Sequence, residues 1–192
     1  MDKDTIAAIA TPQGSGGISI IRISGIKALE IAKKISHREE IKPRYAHFAN
    51  FYDLKGEKLD EGLLLYFPAP NSFTGEDVVE LQGHGGIAVA DSLLKASFAL
   101  GARQAKGGEF SQRAFLNNKM DLTQAEAVAD LINAQSLSAV KAANKSLSGE
   151  FSKKVNELNQ DLFKLRVFIE AALDFADEED TNWIEEGKIL EK

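Results

Sequence analysis

Residues 11–24, TPQGSGGISIIRIS, decide the fold class because they join a glycine-rich loop directly to a strand. The proline and three glycines of TPQGSGG mark a loop over 11–17. The β-branched residues that follow predict a strand over 18–23. Loops that bind nucleotide phosphates instead lead into a helix, and the sequence G-x-x-x-x-G-K followed by Ser or Thr occurs nowhere in the chain. The sequence therefore argues against a nucleoside triphosphate site. We expect the glycines to serve a tight turn with close packing.

Short strands and helices alternate over the first 119 residues. Apolar runs predict further strands at 6–10, 45–53, 62–67 and 77–81, and helical spacing predicts helices at 26–35 and 86–100. This pattern is typical of an α+β domain built on a mixed sheet.

The pattern changes from residue 120 onward. Proline is absent, and apolar residues recur every three or four positions from 147 to 169. This spacing predicts two long helices with a break at 133–138 or at 146–149. We expect one domain at 1–119 and, at 120–192, the first part of a helical domain. Its apolar stripe needs partner helices from elsewhere, so either the chain oligomerises through this stripe or it is a piece of a longer protein.

Composition excludes several classes of protein. The 192 residues include 23 basic and 29 acidic side chains, for a net charge of −6, and no cysteine. Disulfides, thiolate zinc sites and a cysteine nucleophile are therefore excluded within this chain. No apolar run is long enough to cross a membrane and the start does not resemble a signal peptide, so we expect a cytoplasmic protein.

Acidic residues concentrate in the second part of the chain. Residues 120–192 hold 8 basic and 15 acidic side chains, which argues against a nucleic-acid clamp there. The stretch 174–192 alone carries eight acids and two bases. We expect that stretch to be a solvated helix end or tail.

Arg22 and Glu80 are the candidate ligand contacts. Arg22 interrupts an apolar strand, so it either reaches water from a strand edge or faces an anionic ligand. Glu80 shares a strand face with Gln82. It is either solvent-facing or able to accept two hydrogen bonds from an amidine-like edge such as a pterin presents. His84 follows in a glycine turn and is expected to be a hydrogen-bonded turn residue.

The polar segment 106–127 offers further candidates. Arg113 and Lys119 are cations that one ligand could meet. Asp121 or Thr123 is expected to cap the following helix, with Glu126 closing a capping box after Thr123.

Three motifs together resemble one known family. They are DTIAAIATPQGSGGISIIRISG at 4–25, PAPNSFTGEDVVELQGHGG at 68–86 and GGEFSQRAFLNNKMDLTQAEAVADLI at 107–132. In this order and spacing they resemble the N-terminal part of the MnmE (TrmE) family of bacterial tRNA modification GTPases. EAALDFADEED at 170–180 is similar to the acidic helix that precedes that family's GTPase domain.

The resemblance implies a fold and a function. The fold is an N-terminal domain like the tetrahydrofolate-binding domain of the glycine-cleavage T-protein, followed by a helical domain. The family forms homodimers through this domain and binds 5-formyltetrahydrofolate. With the flavoprotein MnmG it installs a carboxymethylaminomethyl group on the wobble uridine of tRNA, using a folate one-carbon unit. GTP, potassium and magnesium belong to a GTPase domain whose motifs this chain lacks.

The folate contacts implied by the resemblance fall on Arg22, Glu80 and Lys119. Glu80 would hold the pterin edge, and the two cations suit carbonyl or carboxylate groups of the ligand. No catalytic residue and no metal site are expected. Two positions depart from the family: Gly107 stands where proline is usual, and Asn118 where glycine is frequent. A T-protein-like aminomethyltransferase and a purely structural dimerisation module remain as alternatives.

Overall fold

The computed structural model describes residues 4–12 and 14–174. The chain divides into two compact units, Met1–Met120 and Asp121–Lys192. Apart from Asp174, the predicted acidic tail lies outside the described residues.

The first unit is built on a six-stranded sheet. The strands are β1 (Thr5–Ile9), β2 (Ile18–Ser24), β3 (His47–Tyr52), β4 (Lys58–Phe67), β5 (Val78–His84) and β6 (Ala102–Gln104). They lie in the order β3-β4-β5-β2-β1-β6. Neighbours are antiparallel except for β1 and β6, which are parallel. The predicted mixed sheet and the α+β class are confirmed.

Two helices, α1 (Ala28–Ser36) and α2 (Ile87–Ala99), cover one face of this sheet. Alternate residues of the central strands, such as Ile21, Ile23 and Leu81, point into this core and are fully buried. Because side chains alternate along a strand, Arg22 and Glu80 occupy the opposite face.

Helix α3 (Glu109–Leu116) follows β6, and the sequence analysis predicted neither element. β6 has three residues, too few for a visible alternation. α3 has only eight residues, and polar and apolar residues are mixed along it, so its sequence shows no apolar stripe that would predict a helix. It begins after Gly108, whose φ of 74° suits glycine.

The described residues of the second unit, 121–174, form three helices, whereas the sequence predicted two long helices. The three are α4 (Leu122–Asn133), α5 (Leu137–Leu147) and α6 (Glu150–Asp174). The chain leaves the helical conformation at both predicted breaks, because each break has its own capping signal. The Ser136 hydroxyl caps α5 by accepting from the Ala139 N–H, and Gly149 has a φ of 87° before α6 begins.

The apolar stripe of α6 stays accessible in the second unit. Phe151, Leu158, Leu162 and Ile169 are each at least 45% exposed. In the described part of the chain, no helix is both long and apolar enough to cross a membrane.

Candidate functional site on the sheet face of Arg22 and Glu80

Arg22 and Glu80 face each other across the β2–β5 pair. The strand register pairs these two residues, which are 58 positions apart in sequence. Arg22 donates from Nε (3.0 Å) and from Nη2 (2.8 Å) to the same carboxylate oxygen, Oε1 of Glu80. The side chains are 27% and 15% exposed. β2 is a central strand, so Arg22 does not reach water from a sheet edge.

The two oxygens of Glu80 have different partners. Oε1 takes both bonds from Arg22, whereas Oε2 has a single long bond of 3.3 Å from Gln82 Nε2. A carboxylate offers about four acceptor positions in total. Oε2 can therefore accept further donors without breaking the ion pair.

Two phenyl rings flank the Arg22 guanidinium. The guanidinium carbon lies 5.3 Å from the ring centre of Phe73 and 5.7 Å from that of Phe110. Both distances are within cation–π range, so the rings hold the guanidinium in place. They also place two apolar rings beside the charged Arg22–Glu80 pair.

Lys119 lies at the loop that carries Phe73. Gly75 of that loop has a φ of 78°, and a Cβ there would sit 3.1 Å from the Lys119 Cγ. The lysine stem therefore crosses Gly75 at van der Waals distance. Among the described residues, Lys119 makes no hydrogen bond or ion pair with Arg22 or Glu80.

Arg113, a candidate cation for a ligand from the sequence, is paired with carboxylates of the protein itself. It is 8% exposed, and its guanidinium bonds Asp4 Oδ1 (2.6 Å), Glu76 Oε1 (3.1 Å) and Glu109 Oε1 (3.2 Å). Two carboxylates from distant parts of the chain, Asp4 and Glu76, thus share its donors with Glu109 of the same helix. Arg113 is a structural residue that ties α3 to the N-terminal strand and to the loop before β5.

Glu109 is the best-paired carboxylate of this cluster. Arg103 hydrogen-bonds both of its oxygens, at 2.9 Å and 2.5 Å, and the Lys106 N–H donates to it at 2.8 Å. The hydrogen bonds from Arg103 are the main reason that the pKa of Glu109 falls to about 2, although burial acts to raise it. Glu109 is therefore ionised throughout the physiological pH range.

The same cluster fixes the loop that carries Phe73. Ser24 Oγ lies 2.7 Å from the Thr74 hydroxyl and 2.7 Å from a Glu76 oxygen, and Asn117 Nδ2 donates to the Thr74 carbonyl at 2.7 Å. The sequence analysis missed Asp4, Glu76 and Arg103. Their partners are up to 109 positions away, so no local spacing could reveal them.

The glycine-rich loop packs closely against the turn after β5, as predicted. The Gly16 N–H donates to the Gly85 carbonyl at 3.0 Å. A Cβ on Gly85 would overlap the Gly16 carbonyl oxygen. A cleft of about 1020 Å³ lies beside this loop, and Arg22, Glu80 and Lys119 are not among its lining residues.

Comparison with known proteins decides the family. Residues 5–119 match the family model described as the N-terminus of the GTP-binding protein TrmE, and residues 122–192 match that of the MnmE helical domain. The chain belongs to the MnmE (TrmE) family. It is 61% identical over 190 residues to the tRNA modification GTPase MnmE of Dichelobacter nodosus. The matched region covers 99% of this chain and 42% of that protein.

Two further MnmE relatives show a similar likeness. The MnmE of Psychrobacter arcticus is 56% identical over 98% of this chain and 39% of its own length. The MnmE of Francisella tularensis subsp. holarctica is 57% identical over 97% of this chain and 41% of its own length. The chain therefore spans about two fifths of the length of these MnmE relatives.

The two departures from the MnmE motifs fit the observed backbone. Asn118 has a φ of 55°, and asparagine tolerates this left-handed conformation better than most residues. Gly107 is not among the glycines with positive φ, and a Cβ there would meet open space. Neither position needs the residue more common in the family.

Proposed function

We propose that the first unit binds a reduced folate, 5-formyltetrahydrofolate, through Arg22, Glu80 and Lys119. The observation that carries this proposal is the spare acceptor capacity of Glu80 Oε2 in a half-buried site walled by Phe73 and Phe110. The matched TrmE N-terminal family model, residues 5–119, supports the same assignment.

The chemistry of a pterin suits this arrangement. Its pyrimidine edge presents a ring N–H and an amino group side by side, and a carboxylate can accept from both. Arg22 orients Glu80 through Oε1, which leaves Oε2 for the ligand. Lys119 supplies a second cation for a carbonyl or carboxylate of the folate.

The wider role of the chain follows from its family. We propose that it is the folate-binding and dimerising portion of a GTP-dependent tRNA-modifying enzyme of the cytoplasm. Residues 1–119 would form the homodimer contact. Together with the flavoprotein MnmG, the whole protein would install a carboxymethylaminomethyl group on the wobble uridine of tRNA, with folate as the one-carbon source.

Calorimetric titration with 5-formyltetrahydrofolate tests the folate site. We expect saturable binding to the wild-type chain and a loss of about ten- to one-hundredfold in affinity for Glu80→Gln, because charge-assisted hydrogen bonds contribute about 1.5–3 kcal/mol. Glu61→Gln is the matched control, since Glu61 is a part-exposed carboxylate on the neighbouring strand β4. That variant should bind like the wild type.

Two results would contradict the proposal. One is a folded wild-type chain that shows no binding of 5-formyltetrahydrofolate. The other is equal affinity of the wild type and Glu80→Gln, which would move the ligand away from this carboxylate. Circular dichroism of each variant separates lost binding from lost folding.

A further inference from the structure

Thr74, in the loop before β5, is fully buried and is held by hydrogen bonds on two sides. Its hydroxyl lies 2.7 Å from Ser24 Oγ and accepts from the Glu76 N–H at 3.2 Å. Its carbonyl accepts from Asn117 Nδ2 at 2.7 Å. The loop is therefore fixed both to strand β2 and to the end of helix α3.

The hold on the β2 side reaches the strand that carries Arg22. Ser24 lies two positions after Arg22 and is itself fully buried. Its hydroxyl also donates to Glu76 Oε2 at 2.7 Å, and Arg113 Nη1 donates to the same oxygen at 3.1 Å. The Ser24–Thr74 bond thus belongs to a buried network in which each polar group has a partner, and such networks fix side chains in one arrangement.

The hold on the α3 side reaches the segment that carries Lys119. Gly75 has a φ of 78°, and a Cβ there would lie 3.0 Å from the Asn117 Cβ and 3.1 Å from the Lys119 Cγ. The loop therefore packs directly on this segment, beside the bond from Asn117 to the Thr74 carbonyl.

Phe73 is the residue that these contacts place. It directly precedes Thr74, and its ring centre lies 5.3 Å from the Arg22 guanidinium carbon. The ring is 38% exposed, so part of it is open to a ligand beside the Arg22–Glu80 pair. The strength of an aromatic contact depends on ring separation and orientation, and a ring that is fixed before binding loses less conformational entropy when the ligand arrives.

We propose that Thr74 and Asn117 are positioning residues of the folate site, which hold Phe73 beside Arg22 for contact with the bound pterin. This inference rests on the proposed function. Neither residue contacts the ligand, and both act through the backbone of the loop that carries Phe73.

Substitution of Thr74 tests the proposal by calorimetric titration with 5-formyltetrahydrofolate. Thr74→Val keeps the shape and removes the hydroxyl, so affinity should fall about three- to tenfold, the effect of one neutral hydrogen bond. Ser24 keeps its bond to Glu76 in this variant, so we expect the fold to persist. Thr74→Ser keeps the hydroxyl and should bind like the wild type.

Thr5→Val is the matched control for the loss of a buried hydroxyl. Thr5 is 2% exposed, and its hydroxyl accepts from the Lys27 N–H at 2.9 Å rather than from the loop of Phe73. This variant should lose stability without losing affinity for 5-formyltetrahydrofolate.

Substitution of Asn117 tests the second hold independently. Asn117→Asp has the same size, but an ionised carboxylate cannot donate to the Thr74 carbonyl. Asn118→Asp adds the same charge beside Lys119, whereas Asn118 bonds the Phe115 carbonyl through its backbone N–H, which the substitution retains. We expect a larger loss of affinity for Asn117→Asp than for Asn118→Asp, and equal losses would refute the role of Asn117.

A double-mutant cycle separates positioning from a general structural role. If Thr74 acts through Phe73, Thr74→Val should change affinity by less than about twofold in a Phe73→Leu background. An effect that does not pass through the ring would be as large in that background as in the wild type.

Each failure has its own meaning. If the folded wild type does not bind 5-formyltetrahydrofolate, the folate site itself is wrong and this inference falls with it. If the wild type binds and folded Thr74→Val binds equally well, or loses as much affinity without Phe73 as with it, the folate site stands and the positioning role of Thr74 is refuted. If circular dichroism shows that Thr74→Val does not fold, the comparison of Asn117→Asp with Asn118→Asp decides.

Discussion

At the scale of residues, the proposed site depends on how Glu80 divides its two oxygens. Arg22 bonds only Oε1, and its guanidinium lies within cation–π distance of the phenyl rings of Phe73 and Phe110. The two side chains are 27% and 15% exposed, and their direct ion pair offsets part of the cost of removing both charges from water. A ligand with two neighbouring donors completes the coordination of Oε2.

The contact between Gly85 and the glycine-rich loop gives a prediction about stability. Gly85→Ala places a Cβ on the Gly16 carbonyl oxygen, and backbone cannot move aside easily. We expect a loss of about 1–3 kcal/mol in the free energy of unfolding, measured by urea denaturation. Gly17→Ala is the control, because its Cβ meets nothing within 4 Å. Equal stability of the two variants would refute the close packing.

Glu109 gives a prediction about pH. Its pKa is lowered from 4.5 to about 2, so its stabilising contribution is complete above pH 4.5 and is lost as pH falls toward 2. Glu109→Gln should cost about 3 kcal/mol at pH 7, because Arg103 and Arg113 lose a buried partner.

The difference in the free energy of unfolding between the wild type and Glu109→Gln should become smaller as pH falls from 4.5 toward 2. Chemical denaturation at several pH values measures it. The exposed Glu39→Gln serves as control and should show no such dependence. A difference that stays constant with pH would contradict the assigned pKa of Glu109.

At the scale of elements, the alternation within a strand could be predicted from the sequence, but the pairing between distant strands could not. The alternation of β2 and β5 indicated which side chains share a face, and that placed Glu80 with Gln82 correctly. The pairing of Arg22 with Glu80 depends on a strand register between segments 58 residues apart. The partners of Arg113 were not predicted for the same reason: Asp4 precedes β1 and Glu76 lies in the loop before β5, and periodicity does not connect these segments.

Helix caps show the same limit at shorter range. Asp121 was one of two predicted caps for α4, and it is the one used. The capping box closes with Gln124, three residues later, and the predicted box between Thr123 and Glu126 was wrong. Gln124 also donates from Nε2 to the Leu147 carbonyl at 2.9 Å, so it connects the start of α4 with the end of α5.

The double role of Gln124 leads to a prediction for the second unit. Gln124→Ala removes both the box and the bond to Leu147, and should cost about 1–2 kcal/mol in thermal or urea unfolding followed by circular dichroism at 222 nm. Glu126→Ala is the matched control and should change stability by less than about 0.5 kcal/mol. A larger loss of stability for Glu126→Ala than for Gln124→Ala would instead favour the capping box between Thr123 and Glu126.

At the scale of the whole molecule, the family matches extend to residue 192, whereas the described structure ends at residue 174. The two matched models account for residues 5–119 and 122–192, and the chain spans about two fifths of its relatives. Among the described residues, Phe151, Leu158, Leu162 and Ile169 of α6 are exposed apolar side chains. Three motifs in order identified the family from sequence, because motif order is a property of the whole chain. The three helices of residues 122–174 were not predicted from the sequence, because their number depends on individual caps rather than on apolar spacing.

A crystal structure of the chain with 5-formyltetrahydrofolate is the most direct test of the central claim. The account predicts the pterin on the open sheet face, with its ring N–H and amino group donating to Glu80 Oε2 and with Arg22 still bonded to Oε1. A ligand seated instead in the cleft beside the glycine-rich loop, or no ligand at saturating concentration, would contradict it.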